Sequence, residues 1–501
     1  MILRLQYMPA ALVWCLTLGG LTTSAQTLPN SSAGRAMSAI LGFIDSGDAA
    51  GFEQYARGAF TPEFLRGLPA DRMAQNITRL KETTGGLALA EIRTMPDGAL
   101  EVNTTARRDP AFKARFVLRL APNHRISELR LAMFDPAQHQ NPYAGVPPSS
   151  SLAERMGAIG KVLESESAAG RFSGTLIIAQ NGQPKLERAT GLANRAFSVP
   201  NTVETKFHIG SITKMFTAIA IAQLAAAGKL SFDDPISKYL PDYPDQPLAS
   251  RITVHHLLTH TSGLGDYQSS EYQKRRWSLD GLSDHYRFFA SQPLRFDPGK
   301  GWGYSNAGFL LLGLIVERVT GQSYTGYVTE HVFKPAGMNE SGFDVIDDLT
   351  PRLAVGYTRI TKEGSREGPL KSNVLTLPFG SPAGGAFSTA RDLLKFAEAL
   401  QSNRLLDAKH TQMVTSAKAK PDGPPELFYG YGFRVLTINR QRAFGHGGSV
   451  PGGSAELFIF PETGLVVVAL ANIDPPAAGR LVTPICELLT QTPATVEQSK
   501  P

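Results

Sequence analysis

The chain has 501 residues, is 42% hydrophobic and 19% charged, and so has the length for two to four domains and the balance of a folded globular protein. Its formal net charge is only +6 and no Lys/Arg-rich run stands out, which argues against nucleic acid and anionic membrane surfaces as partners. Of the two cysteines, Cys15 lies in an apolar leader. A mature chain holding Cys486 alone can form neither an intramolecular disulfide nor a structural cysteine zinc site.

The leader comes first. Arg4 supplies a positive start, "PAALVWCLTLGG" an apolar stretch, and Thr23-Ser24-Ala25 a small-residue cleavage site. Residues 1–25 are therefore expected to be an export signal, with an uncleaved anchor as the alternative. The "LVW" before Cys15 lacks the small residues of a lipoprotein signal. The expected location is periplasmic or secreted, with no stable membrane span once the signal is removed.

Residues 30–135 read as a small α+β domain. A helical pattern runs from about Ser31 to Arg79, with "AMSAILGFI" its clearest piece. The period then changes to two. A hairpin turns at Pro96-Asp97-Gly98, and in "ARFVLRLAPNHRISELRLAMF" one face of each strand carries Phe116, Leu118 and Leu120, then Leu129, Leu131 and Met133. Residues 136–151 are rich in Pro, Ser and Gln and read as a linker.

Residues 152–490 form the second predicted domain. It opens with a helix and a hairpin turning at Asn181-Gly182. It closes with three strand candidates in "QRAFGHGG" and "GGSAELFIFPETGLVVVALAN", then a helix near Arg480 to Leu489. Helices and Gly/Pro-rich loops lie between. The expected class is α/β of the α+β type, with one antiparallel sheet assembled from both ends of the domain and a helical region inserted.

The chemistry begins in "HIGSITKMFTAIAIAQLAAAGKL", His208 to Leu230. A helix from Ser211 to Ala227, stopped by Gly228, is apolar nearly all round, which argues burial. Ser211 and Lys214 are three apart and can meet on one face. A serine at a helix N-terminus beside a neutral lysine is an activated nucleophile. Neutrality near pH 7 needs the lysine pKa to fall by about three units, roughly 4 kcal/mol, and burial in an apolar wall is the way to supply it. The plainer reading makes Ser211 a helix cap and Lys214 a snorkelling surface residue.

Tyr304-Ser305-Asn306 precede the helix "FLLLGLIVERVTG". A phenol there can relay protons and an amide can orient substrate; a turn tyrosine and a capping asparagine fit equally well. His446-Gly447-Gly448 would lie on an edge strand, where small residues admit a substrate backbone. The Ser449 amide could then join that of Ser211 as an oxyanion hole.

In order, Ser-x-x-Lys, Tyr-x-Asn and His-x-Gly resemble the serine β-lactamase and penicillin-binding-protein superfamily. The look is nearest to its branch of class C β-lactamases, D-alanyl-D-alanine carboxypeptidases, D-aminopeptidases and related esterases. The resemblance covers most of residues 152–490, including "LLTHTSGL", "FDPGKGWGYSNAGFLLLGLIVERVTG" and "SPAGGAFSTARDLLKFAEAL". It implies an acyl-serine on Ser211, proton handling by Lys214 and Tyr304, and substrate contact by Asn306. His446 stands where β-lactamases usually carry the lysine of Lys-Thr-Gly. That departure favours ester or amide/peptide substrates, of the esterase or D-amino-acid peptidase type, over dedicated β-lactam hydrolysis. A class C-like β-lactamase, or a penicillin-recognising sensor that binds cell-wall fragments without turnover, is the alternative. No cofactor is implied.

A metal hydrolase is the rival enzyme class. "HHLLTH" puts His256 and His260 at i, i+4, but the glutamate of His-Glu-x-x-His is absent. "GSPAGGAFST" has Ala386 and Phe387 where a phosphate loop needs Lys and Ser/Thr, which excludes that reading.

Overall fold

The structure, a computed structural model, describes residues 6–7, 27–68, 70–95, 98–108, 110, 112–134, 141–267, 270–279, 281–343, 349–360, 368–374, 381–421 and 424–491. Apart from residues 6–7, the predicted leader lies outside these residues. So do Pro96 and Asp97 of the predicted hairpin turn and the start of the predicted linker. Met1–Gln140 make up the bulk of one compact unit; Asn141–Gln292, Asp297–Pro421 and Glu426–Pro501 make up the other.

In the first unit four helices precede the four strands of a meander, and the short strand Gln6–Tyr7 pairs in parallel with the last of these. The helices are α1 (Ser32–Ser46), α2 (Ala49–Ala59), α3 (Pro62–Gly67) and α4 (Ala70–Thr84). Ser31, Asp48 and Thr61 cap the first three by accepting an amide N–H three residues on. The strands β1 (Leu87–Thr94), β2 (Leu100–Ala106), β3 (Lys113–Leu120) and β4 (Ile126–Phe134) pair as an antiparallel meander. The register places Val102 opposite Phe116, Phe116 opposite Leu131 and Leu118 opposite Leu129. That apolar face is buried with Met37, Ile40, Ile44, Phe52 and Ile77 of the helices. The period-two alternation read from the sequence is thus the core face of the sheet.

Residues 141–151 are more than the linker their composition suggests. Tyr143 is buried in the core of the second unit. The Arg155 guanidinium donates to the carbonyls of Pro148, Ser150 and Leu488. One cation thereby ties this segment to the end of the last helix, where its charge suits the helix dipole.

The second unit is built on a seven-stranded antiparallel sheet. Ser151 and Glu154 form a capping box for α5 (Leu152–Ala168). The strands β5 (Gly174–Gln180) and β6 (Gln183–Thr190) follow, joined at Asn181 and Gly182, both at positive φ as a tight hairpin turn requires. From the far end come β7 (Leu427–Tyr429), β8 (Arg434–Ile438), β9 (Gln441–Val450), β10 (Gly453–Phe460) and β11 (Leu465–Ala471). Their order is β7-β8-β9-β10-β11-β5-β6, so the two ends of the domain meet where β11 pairs with β5. Every residue of β10 and β11 is buried, so both faces of the sheet are covered. On one face, α5 and the last helix, Ala477–Thr490, pack on Leu176, Ile178, Val467 and Ala469. On the other lies the inserted helical region.

Candidate active site

The helix of the opening motif is α6, Thr213–Ala226. Eleven of its residues are buried, Lys214 among them; Phe216 meets Phe333 and Phe396 edge-to-face. Ser211 does not sit on this α-helix as expected. It lies in a 3₁₀ turn, Gly210–Ile212, that leads into it. The Thr213 hydroxyl donates to the Gly210 carbonyl at 2.8 Å and accepts the Ala386 N–H at 3.2 Å, a local bond that competes with the helix ladder and tightens the turn. No side chain caps either helix start, so Ser211 is not a cap. Lys214 does not snorkel: its exposure is 0%.

Lys214 Nζ instead lies 3.1 Å from Ser211 Oγ, 2.8 Å from Asn306 Oδ1 and 2.5 Å from the Ala383 carbonyl. Its ammonium position is 4.8 Å from the centre of the Tyr304 ring, and the Tyr304 phenol hydrogen-bonds to it. Burial pulls the Lys214 pKa down and Arg434 adds to this; Tyr304 and Asp266 act in the opposite direction. Ser211 itself is partly exposed. The hydroxyl therefore faces solvent while the amine reaches it from below.

Asn306 opens α8 (Asn306–Thr320) but does not cap it; Ser305 does, accepting the Gly308 N–H. That leaves the Asn306 amide to bridge Lys214 and the Asp266 carboxylate, whose Oδ2 accepts Asn306 Nδ2–H at 2.8 Å.

The edge-strand reading of His446 needs revision in detail. β9 is interior, flanked by β8 and β10, but β8 stops opposite Gly445, so residues 446–450 run past it. There β9 packs on the turn that carries Ser211. A methyl group on Gly448 would come within 1.8 Å of the Ile209 carbonyl, and one on Gly210 within 2.8 Å of the Ser449 nitrogen. Glycine at 448 makes room for this approach. His446 is 1% exposed. Its Nδ1 lies 2.6 Å from the Gly447 carbonyl and its Nε2 2.9 Å from the Tyr429 hydroxyl. Only Nδ1–H can serve the carbonyl, so Nε2 accepts from Tyr429. Burial, and then Arg434 and Lys214, hold the His446 pKa well below its usual value.

Three further residues complete the site. The His260 ring stacks on Tyr304 at 4.2 Å and lies 4.7 Å from the Tyr429 ring; its Nδ1 accepts the Ser305 N–H. Asp266 orients Asn306, and Tyr429 holds His446. Asp266 follows the quoted "LLTHTSGL" by two positions, and Tyr429 lies in a strand too short to signal itself.

The "HHLLTH" histidines diverge. The helix α7 spans only Val254–Leu258. His256 Nδ1 accepts the Thr253 N–H as part of a capping box, while His260 sits past the helix end at φ +61°. Among the described residues no group of three His, Cys, Asp or Glu is placed to hold a metal, and no helix is long and apolar enough to cross a membrane.

The sequence model of the Beta-lactamase family matches residues 154–489. Esterase EstB of Burkholderia gladioli is 32% identical over 373 residues, covering 65% of this chain and 91% of that one. The crystal structure of a penicillin binding protein from Bacillus halodurans superposes with a TM-score of 0.58 at 36% identity, over 65% of this chain and 98% of its own. A D-stereospecific amidohydrolase from Streptomyces sp. gives 0.56 at 25% identity, over 65% and 97%. The match spans the whole region that carries Ser211, Lys214, Tyr304 and Asn306, and by it the chain belongs to the β-lactamase family and is a serine hydrolase.

Proposed function

We propose that the enzyme transfers acyl groups through Ser211 and acts on uncharged esters or amides. The placement of Lys214 carries this reading: its buried Nζ lies 3.1 Å from Ser211 Oγ, with Asn306 Oδ1 and the Ala383 carbonyl accepting from it. In the neutral amine those two acceptors take both N–H donors, and the one lone pair faces the Ser211 and Tyr304 hydroxyls. Burial favours this neutral form.

In the proposed reaction the Ser211 O–H gives its proton to Lys214 Nζ as the oxygen bonds to the substrate carbonyl carbon. The carbonyl electron pair moves onto its oxygen, beside the Ser211 and Ser449 amides. As the pair returns, the bond to the leaving group breaks, and Tyr304 relays the Lys214 proton to the departing alcohol or amine. Water then repeats the sequence on the acyl-serine, releasing the acid and freeing Ser211.

The substrate class rests on His446. A lysine there would offer a permanent cation to a substrate carboxylate. The buried, doubly hydrogen-bonded and neutral His446 does not. The nearby Arg434 is already paired with Glu456 at 3.3 Å. EstB, named as an esterase, and the Streptomyces D-stereospecific amidohydrolase support an ester or amide substrate. A panel of short-chain esters, D-amino-acid amides and β-lactams tests this. Esters or amides should be turned over with the higher kcat/KM; a cephalosporin hydrolysed faster than all of them contradicts the reading. The leader read in residues 1–25 supports a periplasmic or secreted location, which N-terminal sequencing of the exported chain tests: it should begin at Gln26.

A further inference from the structure

We propose that Asp266 is a positioning residue which fixes the orientation of the Asn306 amide and, through it, aims Lys214 at Ser211. The inference rests on the acyl-serine reading above. Two loops are zipped together at this point. The His260 carbonyl accepts the Gly303 N–H at 2.9 Å, and His260 Nδ1 accepts the Ser305 N–H at 3.1 Å. The Gly265 carbonyl accepts the Ser305 hydroxyl at 2.8 Å, and Asp266 Oδ2 accepts Asn306 Nδ2–H at 2.8 Å. The carboxylate is thus delivered to the amide by a ladder of successive contacts.

An amide has one acceptor end and one donor end, and Asn306 stands between a carboxylate and an amine. With Nδ2 toward Asp266, Oδ1 must face Lys214, where it accepts at 2.8 Å. Flipped, the amide would set oxygen against oxygen on one side and donor against donor on the other. Asp266 accepts only, so it forbids the flip. Oδ1 of Asn306 accepts from Lys214 Nζ, as the Ala383 carbonyl does, and these two bonds hold Nζ 3.1 Å from Ser211 Oγ. Asn306 keeps a second Nδ2–H for substrate. The other Asp266 oxygen, Oδ1, is buried with no partner among the described residues, so the carboxylate is held by this one bridge.

Charge and orientation are separable by experiment. The charged and titratable groups facing Lys214 are Asp266, Arg434, Tyr304 and His446. The negative Asp266 favours the ammonium form of Lys214, so its removal must lower the Lys214 pKa. In Asp266→Ala the orienting acceptor is lost; kcat for a 4-nitrophenyl ester should fall about 10- to 100-fold with KM changed less than about threefold, the signature of a misaimed catalytic group. In Asp266→Asn the side-chain oxygen can still accept from Asn306. Activity at the optimum should recover to within about fivefold of wild type, while the acid limb of the pH profile moves to lower pH. A folded Asp266→Ala enzyme with wild-type kcat overturns the proposal. If that variant does not fold, Asp266→Asn decides alone: an acid limb that stays or moves to higher pH overturns it. Labelling by a serine-reactive phosphonate distinguishes the underlying reading, because a wild-type enzyme that hydrolyses the ester without labelling at Ser211 overturns the acyl-serine mechanism itself.

Discussion

At the scale of single residues, His446 makes the sharpest chemical claim. Burial and the neighbouring Arg434 and Lys214 disfavour the imidazolium, so the account expects a ring that gains no charge between pH 8 and pH 6. The ratio of ester to cephalosporin kcat/KM should therefore change less than about twofold over that range. A tenfold rise in relative cephalosporin turnover at pH 6 would show a titrating, substrate-facing histidine instead. Restoring a cation by His446→Lys should raise the cephalosporin-to-ester ratio about 10- to 100-fold, the effect of one desolvated charge-assisted contact; an unchanged ratio contradicts the substrate argument. Tyr429→Phe tests the partner. It leaves His446 Nε2 buried without its donor and should cost about 1–3 kcal/mol by denaturant midpoint with an unchanged slope.

At the scale of elements, the close approach of β9 to the Gly210–Ile212 turn is the feature on which the proposed oxyanion site depends. Gly448→Ala drives a methyl into the Ile209 carbonyl, 1.8 Å from its ideal position. It should destabilise the protein by about 1–3 kcal/mol and lower kcat further, since the Ser449 amide moves with the strand. Wild-type kcat in this variant would show that the register of β9 against Ser211 does not matter. Much at this scale was legible in advance. Continuous apolar character marked α6 and β11, and Asn181-Gly182 marked the hairpin. The strands of the seven-stranded sheet that were missed are β7 and β8, three and five residues long, too short for period two to stand out. The 3₁₀ turn under Ser211 was missed for a different reason. It is set by a Thr213 hydroxyl and by Ala386, distant in sequence, and pattern alone does not show such tertiary bonds.

At the scale of the whole molecule, the sheet assembled from both ends of the second unit explains why the site residues are so widely spaced in sequence. The helical insert carries Ser211, Lys214, Tyr304 and Asn306; the returning strand β9 brings His446 and Ser449. These residues were picked out in the sequence because the chemistry expected of them restricts the residue types. Asp266 and Tyr429 were not, because they act on other side chains across loop contacts, and His260 was weighed there only as a metal ligand or a packing residue. All of these residues belong to the second unit, whose core includes Tyr143. A chain beginning at Asn141 should therefore fold and keep the ester hydrolysis of the full chain within about threefold. A folded but inert truncated chain would assign the first unit a part in the chemistry. The central claim, an acyl-enzyme on Ser211 with Lys214 as its base, is tested most directly by acid-quenching the enzyme during turnover of a 4-nitrophenyl ester and locating the acyl mass by peptide mass spectrometry. The account predicts one acyl group, on the peptide containing Ser211, absent from both Ser211→Ala and Lys214→Ala. An acyl group on another residue, or undiminished labelling in Lys214→Ala, would contradict it.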